Sequence, residues 1–262
     1  MMKRQPLSYC CLLIVYCIVC SLPVAAQETL PVEDTPCLYV IGDSTAASYD
    51  HDRYPLTGWA QVMQSYFDPD KLKVINKARS GRSSKSFLEE GIWAEIRDIL
   101  RPGDYVLIQF GHNDSKQDDP NRYTDPDTTY REYLNTYIDE TQAKGAIPIL
   151  ATSINRNIWK SDSILKDTMG GYPAAVRALA KERNITLIDV HFLTKELFEE
   201  LGREKTTVLF MNFAPNLWPN YPEGRDDNTH LQEEGARAVC KLVVDKLAQQ
   251  DAVFKNLMHP VK

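Results

Sequence analysis

Residues 37–45 read CLYVIGDST, five apolar residues running straight into a polar turn. A short apolar run that is rich in β-branched and aromatic residues and closed by glycine is the signature of a buried strand. The pattern recurs downstream at residues 72–75, 104–110 (DYVLIQF), 146–151 (AIPILA) and 185–190 (ITLIDV). Amphipathic helical stretches lie between and after these runs, at residues 58–67, 85–100 with a break at Gly91, 129–144, 173–183, 193–202 and 232–249. Strands separated by helices need crossover connections, and crossovers make neighbouring strands parallel. The sequence therefore predicts an α/β fold, a three-layer α/β/α sandwich on a doubly wound, about five-stranded parallel sheet.

Composition sets outer limits. The 262 residues are 43% hydrophobic and 25% charged, ordinary for a globular chain that buries one sizeable core. The formal net charge is -6, and Lys3 and Arg4 are the only charges in the first 26 residues. No run of five or more basic residues occurs, so no nucleic-acid partner is expected, because phosphate neutralisation needs concentrated positive charge.

Residues 1–26 read as a signal peptide: Lys3-Arg4, an apolar run from Tyr9 to Leu22, then small residues ending at Ala26, where cleavage before Gln27 is expected. A retained anchor is the alternative, but the run falls short of the roughly 20 residues a membrane span needs. Export to the periplasm or the extracellular space follows, with no stable membrane insertion after cleavage. Residues 27–36 form a polar leader and residues 37–262 a single domain. Four of the six cysteines fall in the segment expected to be removed. Cys37 and Cys240 remain, and an oxidising compartment permits a disulfide between them, while two buried free thiols are the other reading.

Ligands of open α/β sheets bind beyond the carboxyl ends of the strands. Four polar clusters stand there or just before the last helix. Gly42-Asp43-Ser44-Thr45 follows the first strand, where Ser44 can expose its hydroxyl at a strand-to-helix turn or merely cap a helix. Asn76 to Ser84 (NKARSGRSS) follows the second, where Gly81 lets backbone approach a ligand or simply makes a turn. Gly111-His112-Asn113-Asp114 follows the third; Asn113 is a candidate oxyanion donor, in a stretch that is also good turn sequence. His112 is expected to be structural, since no suitably spaced acid stands beside it. Asp226-Asp227-Asn228-Thr229-His230 precedes the final helix. One turn there can set the Asp227 carboxylate against the His230 imidazole, orienting it as a base; an acidic capping loop is the plainer alternative.

Taken together, Gly42-Asp43-Ser44, Gly81, Gly111-His112-Asn113-Asp114 and Asp227-Asn228-Thr229-His230 resemble the four ordered blocks of the SGNH (GDSL-type) hydrolases. The stretches NKARSGRSSKSF, PGDYVLIQFGHND, TSINRNIW and DDNTHLQEEGA are similar to rhamnogalacturonan acetylesterases, and the likeness extends over about residues 37–250. The resemblance implies an SGNH/flavodoxin-like sandwich. It implies Ser44 as nucleophile, His230 as base and Asp227 as its orienting acid, with the Ser44 N–H, the Gly81 N–H and the Asn113 amide as oxyanion hole. Gly-x-Ser-x-Gly, the mark of another large serine-esterase fold, is absent. Because Asp226 adjoins Asp227, the sequence alone leaves open which carboxylate meets the histidine.

The implied activity is that of a secreted carboxylic ester hydrolase, which removes O-acetyl groups from plant cell-wall polysaccharide, rhamnogalacturonan or pectin foremost, through an acyl-serine. No cofactor is expected, and no His/Cys/Glu metal set is apparent. Arg156, Asn157, Trp159, Tyr172, Trp218 and Tyr221 are candidate substrate-binding residues along a sugar groove; packing of those aromatics from loop to core is the alternative. Other substrate classes compete: acetylxylan, lysophospholipid or thioester. A non-catalytic carbohydrate-binding domain is a further alternative, and the intact Ser44, Asn113, Asp227 and His230 speak against it.

Overall fold

A computed structural model describes residues 35–259. The expected signal peptide and nearly all of the leader lie outside the described residues. Five parallel strands form the central sheet: β1 (Cys37–Gly42), β2 (Lys73–Asn76), β3 (Tyr105–Gln109), β4 (Ile147–Ala151) and, after a small hairpin of β5 (Trp159–Ser161) and β6 (Ile164–Leu165), β7 (Thr186–Ile188). Their order is β2-β1-β3-β4-β7, so the chain steps outward to β2 and then returns to the other side of β1. This is the doubly wound sheet that the sequence predicts, with its switch point between β1 and β3.

The continuous apolar runs follow from burial on both faces. Side chains alternate along each strand. Leu38 and Val40 of β1, Leu107 of β3 and Ile149 of β4 join one core cluster, while Tyr39, Ile41, Val106, Ile108 and Leu150 join the other. Each of these buried aliphatic side chains contributes roughly 1.5–3 kcal/mol. The second cluster is covered by α1 (Ser84–Glu89), α2 (Ile92–Arg97), α3 (Thr129–Ala143) and α4 (Tyr172–Arg183) through Phe87, Trp93, Leu134, Tyr137 and Val176. The first is covered by α5 (Val190–Thr207), α6 (Glu233–Gln250) and α7 (Ala252–Leu257) through Phe198, Val239, Val243 and Phe254. Cys37 and Cys240 belong to opposite clusters and are both free, which settles the choice between disulfide and thiols in favour of thiols.

The helix expected at residues 58–67 is present as a 3-10 helix, Trp59–Tyr66. Its three-residue repeat stacks Ala60, Met63 and Tyr66 on one face against the core. The helix expected at 193–202 starts at Val190 and runs to Thr207, interrupted at Gly202, where φ is 76°. Finally, residues 225–231 are a strand, β9 (Arg225–Leu231), paired antiparallel with β8 (Phe210–Phe213), where a loop was expected.

Candidate active site

The β1 and β3 ends at the switch point carry two of the four polar clusters. Residues 44–46 form a single turn held by Ala46 and Ala47 N–H groups donating to the Asp43 carbonyl, so no α-helix starts at Ser44 as the strand-to-helix reading expected. Ser44 is buried apart from 8% of its surface. Gly42 beneath it is required by space, since a Cβ there would stand 2.5 Å from the Gln109 carbonyl oxygen of β3.

The imidazole arrives from β9. Met211 pairs with Asp227 but the preceding Phe210 pairs with Leu231, so residues 228–230 are extra and swing out of the ladder. Asp227 Oδ1 closes that excursion by accepting the Thr229 and His230 N–H groups, each at 3.0 Å. Its Oδ2 meets His230 Nδ1 at 2.8 Å, and His230 Nε2 lies 2.9 Å from Ser44 Oγ. Burial works against the Asp227 charge, but hydrogen bonds and positive charge from His230 outweigh it and hold the carboxyl well below the usual range. Asp226 turns elsewhere and accepts from Asn212 and Asn228, which answers which carboxylate meets the histidine.

Gly81 and Asn113 complete the surroundings. Gly81 adopts φ 79°, in the left-handed region that a side chain would strain, and nothing packs where its Cβ would be. Asn113 Nδ2 donates to the Arg82 carbonyl at 3.0 Å, which leaves its second amide hydrogen free, and Arg122 Nη1 stands 3.5 Å from its Oδ1. Among the described residues the Ser44 and Gly81 N–H groups have no protein acceptor. The set can pass the Ser44 proton to His230, and the Ser44 and Gly81 N–H groups and one Asn113 amide hydrogen are free to donate.

His112 is buried, as expected of a structural residue, but the reason for that expectation fails. Its Nδ1 lies 3.0 Å from Asp43 Oδ2, an acid 69 positions upstream. Asp43, itself fully buried, also accepts from Thr45 and Gln109. Burial opposes its charge, and the His112 contact prevails, drawing the carboxyl down to about 2. The two residues form a second acid–imidazole pair beneath the nucleophile turn.

The candidate sugar-binding residues divide. Tyr172 is buried and its hydroxyl donates to the Asp114 and Thr124 carbonyls, so it cannot stack on a ligand. Asn157 is likewise buried. Its Nδ2 donates to Thr207 Oγ1 and Asn228 Oδ1, its Oδ1 accepts from Trp159 Nε1, and it thereby braces the β9 excursion. Both are corrected from ligand contacts to internal supports. Trp159 and Arg156 remain half-buried, with Arg156 donating to Thr168. Trp218 and Tyr221 pack with Tyr54 and Phe213 in a cluster of edge-to-face rings. Among the described residues no helix is long and apolar enough to cross a membrane, and no group of three His, Cys, Asp or Glu side chains is arranged to hold a metal.

The fold and this constellation define a hydrolase-type α/β sandwich. The profile of the GDSL-like Lipase/Acylhydrolase family matches residues 40–238, and the chain belongs to that family of carboxylic ester hydrolases. It is 41% identical over 219 residues to the rhamnogalacturonan acetylesterase RhgT of Bacillus subtilis, covering 84% of this chain and 92% of that one. It is 39% identical over 206 residues to the probable rhamnogalacturonan acetylesterase YesY of the same organism, covering 79% and 89%. Among solved structures, the YxiM protein of Bacillus subtilis superposes with a TM-score of 0.72 at 29% identity over 82% of this chain, which spans only 57% of that longer protein. The acetylxylan esterase Axe2 of Geobacillus stearothermophilus shares the fold, with a TM-score of 0.58 at 18% identity over 81% and 94% of the two chains.

Proposed function

We propose that this protein is an exported carbohydrate acetylesterase that removes O-acetyl groups from rhamnogalacturonan through an acyl-serine. The observation that carries the reading is the chain of contacts from Ser44 Oγ to His230 Nε2 at 2.9 Å and from His230 Nδ1 to Asp227 Oδ2 at 2.8 Å. The names of the relatives at 41% and 39% identity support the substrate.

In this mechanism His230 Nε2 takes the Ser44 hydroxyl proton as Oγ attacks the acetyl carbonyl. The oxyanion forms against the Ser44 N–H, the Gly81 N–H and the free Asn113 amide hydrogen. His230 then gives its proton to the sugar oxygen, the carbon–oxygen bond breaks, and the deacetylated sugar leaves an acetyl-serine. Water, deprotonated by the same nitrogen, attacks that ester and releases acetate, returning the proton to Ser44. Asp227 keeps the imidazole in the tautomer that presents a bare Nε2 and stabilises the imidazolium.

Acetate release measured on acetylated rhamnogalacturonan, acetylated xylan and a lysophospholipid tests the substrate; preference for the first is expected, and preference for either of the others overturns it. Export is tested separately by the N-terminal sequence of protein recovered outside the cytoplasm, expected to begin at Gln27.

A further inference from the structure

Arginines over much of the surface are matched to carboxylates: Arg97 to Asp98 and Glu140, Arg131 to Glu182, Arg177 to Asp189, Arg237 to Glu233. Lys77 and Arg79, on the segment after β2, are not; neither has an acidic partner among the described residues. Their backbone N–H groups are tied to the Val40 and Gly42 carbonyls of β1, so the segment is fixed while the side chains are unengaged.

These two, with Arg53 and Arg82, line a cleft of about 660 Å³. Among its lining residues Glu90 is the one acid, and Arg82 already holds it through Nε at 2.9 Å and Nη2 at 2.8 Å. Arg53 lies over the Tyr49 ring, 5.7 Å from its centre. The cleft is therefore strongly positive on a chain whose formal net charge is -6. It also adjoins the reacting groups. Tyr49 on its wall donates its hydroxyl to the Ser44 carbonyl at 2.6 Å, Ser80 directly precedes Gly81, and the Arg82 carbonyl holds Asn113.

We infer that this cleft is a subsite for the carboxylate of an acidic sugar, a uronate in the same polymer as the acetyl ester, and that it sets which acetylated chains reach Ser44. The inference rests on the acetylesterase reading and adds to it a charge requirement. Guanidinium groups match a carboxylate in a planar two-point contact, and a bound uronate supplies the counter-charge that Lys77 and Arg79 lack. An acetylated neutral polymer would leave those cations facing only water.

The test compares kcat/KM for an acetylated rhamnogalacturonan oligosaccharide and for the same compound with its carboxyls methyl-esterified. Wild-type protein should prefer the free acid, and the preference should shrink as salt rises from about 20 mM to about 0.5 M. In the double variant Lys77→Gln/Arg79→Gln the acid-to-ester ratio should fall roughly three- to tenfold, carried mainly by KM. Neither side chain bonds to the fold, so the variant keeps its structure. An unchanged ratio in the variant, or a wild type indifferent to the carboxyl charge while cleaving both compounds, overturns the subsite and leaves the esterase reading standing. A wild type that cleaves a small acetyl ester but neither compound overturns the subsite together with the polymer reading, and one that cleaves none of the three, and whose Ser44 resists a fluorophosphonate, overturns the esterase reading as well.

Discussion

Arg225 Nη2 donates to Asp227 Oδ2 across 3.1 Å, and the same oxygen accepts from His230 Nδ1. A carboxylate oxygen shared between a guanidinium and an imidazole gives the imidazolium only part of its negative charge. In Arg225→Gln the whole of that charge falls to His230, so kcat for a small acetyl ester should hold or rise by up to a few-fold. A fall in kcat of about tenfold or more, restored by Arg225→Lys, would mean that Arg225 is needed to hold β9 in place.

Ser44→Ala or His230→Ala should remove nearly all turnover of a small acetyl ester, and Ser44→Ala should also abolish labelling by a fluorophosphonate. If Asn113 serves the oxyanion as proposed, Asn113→Ala should cost on the order of a hundredfold or more in kcat with little change in KM, because that charge exists only during reaction. Ser44→Ala with full activity would end the acyl-serine proposal.

What the sequence disclosed follows from where its information is local. Strands β1, β3 and β4 are buried on both faces, so each is a continuous apolar run, and Ser44, Gly81 and Asn113 follow strands that could be read. Arg225–Leu231 carries no apolar alternation, since its role is to hold polar groups out of register, and β9 was accordingly missed although the Asp227–His230 spacing was legible within it. The Asp43–His112 contact joins residues 69 positions apart, and no local spacing announces it. Tyr172 misled for a different reason: an aromatic residue at a loop–helix junction looks the same in sequence whether its hydroxyl meets a ligand or, as here, two backbone carbonyls.

His112→Ala should destabilise the protein by about 3–5 kcal/mol, because Asp43 stays buried and charged without its cation-capable partner. The pH dependence gives the sign. With its carboxyl at about 2 in the folded chain against 3.8 for the unperturbed group, Asp43 contributes stability that is complete above about pH 4 and is lost as pH falls toward 2. His112→Ala should shrink that acid-side loss, and the double variant Asp43→Asn/His112→Ala should be less destabilised than the two single changes added together. Strict additivity in denaturant melts would refute the pairing.

Asp114 behaves in the opposite sense. Burial raises its carboxyl from 3.8 to about 7, helped by the charge of Asp43 and resisted by hydrogen bonds from Ser84 and Thr124. Its Oδ1 takes those bonds, while Oδ2 is buried with no partner among the described residues, an arrangement a neutral carboxyl tolerates far better than a carboxylate. The folded chain thus keeps a proton that the unfolded chain releases near pH 4. Stability from this group is full below pH 4 and drains away as pH climbs to about 7, on the order of 4 kcal/mol across that span. Asp114→Asn is uncharged at every pH and keeps an oxygen for Ser84 and Thr124. Relative to wild type, its melting temperature should therefore improve steadily from pH 4 to pH 8, whatever the offset at pH 4. Parallel curves for the two proteins over that range would show that the Asp114 carboxyl does not change its charge there.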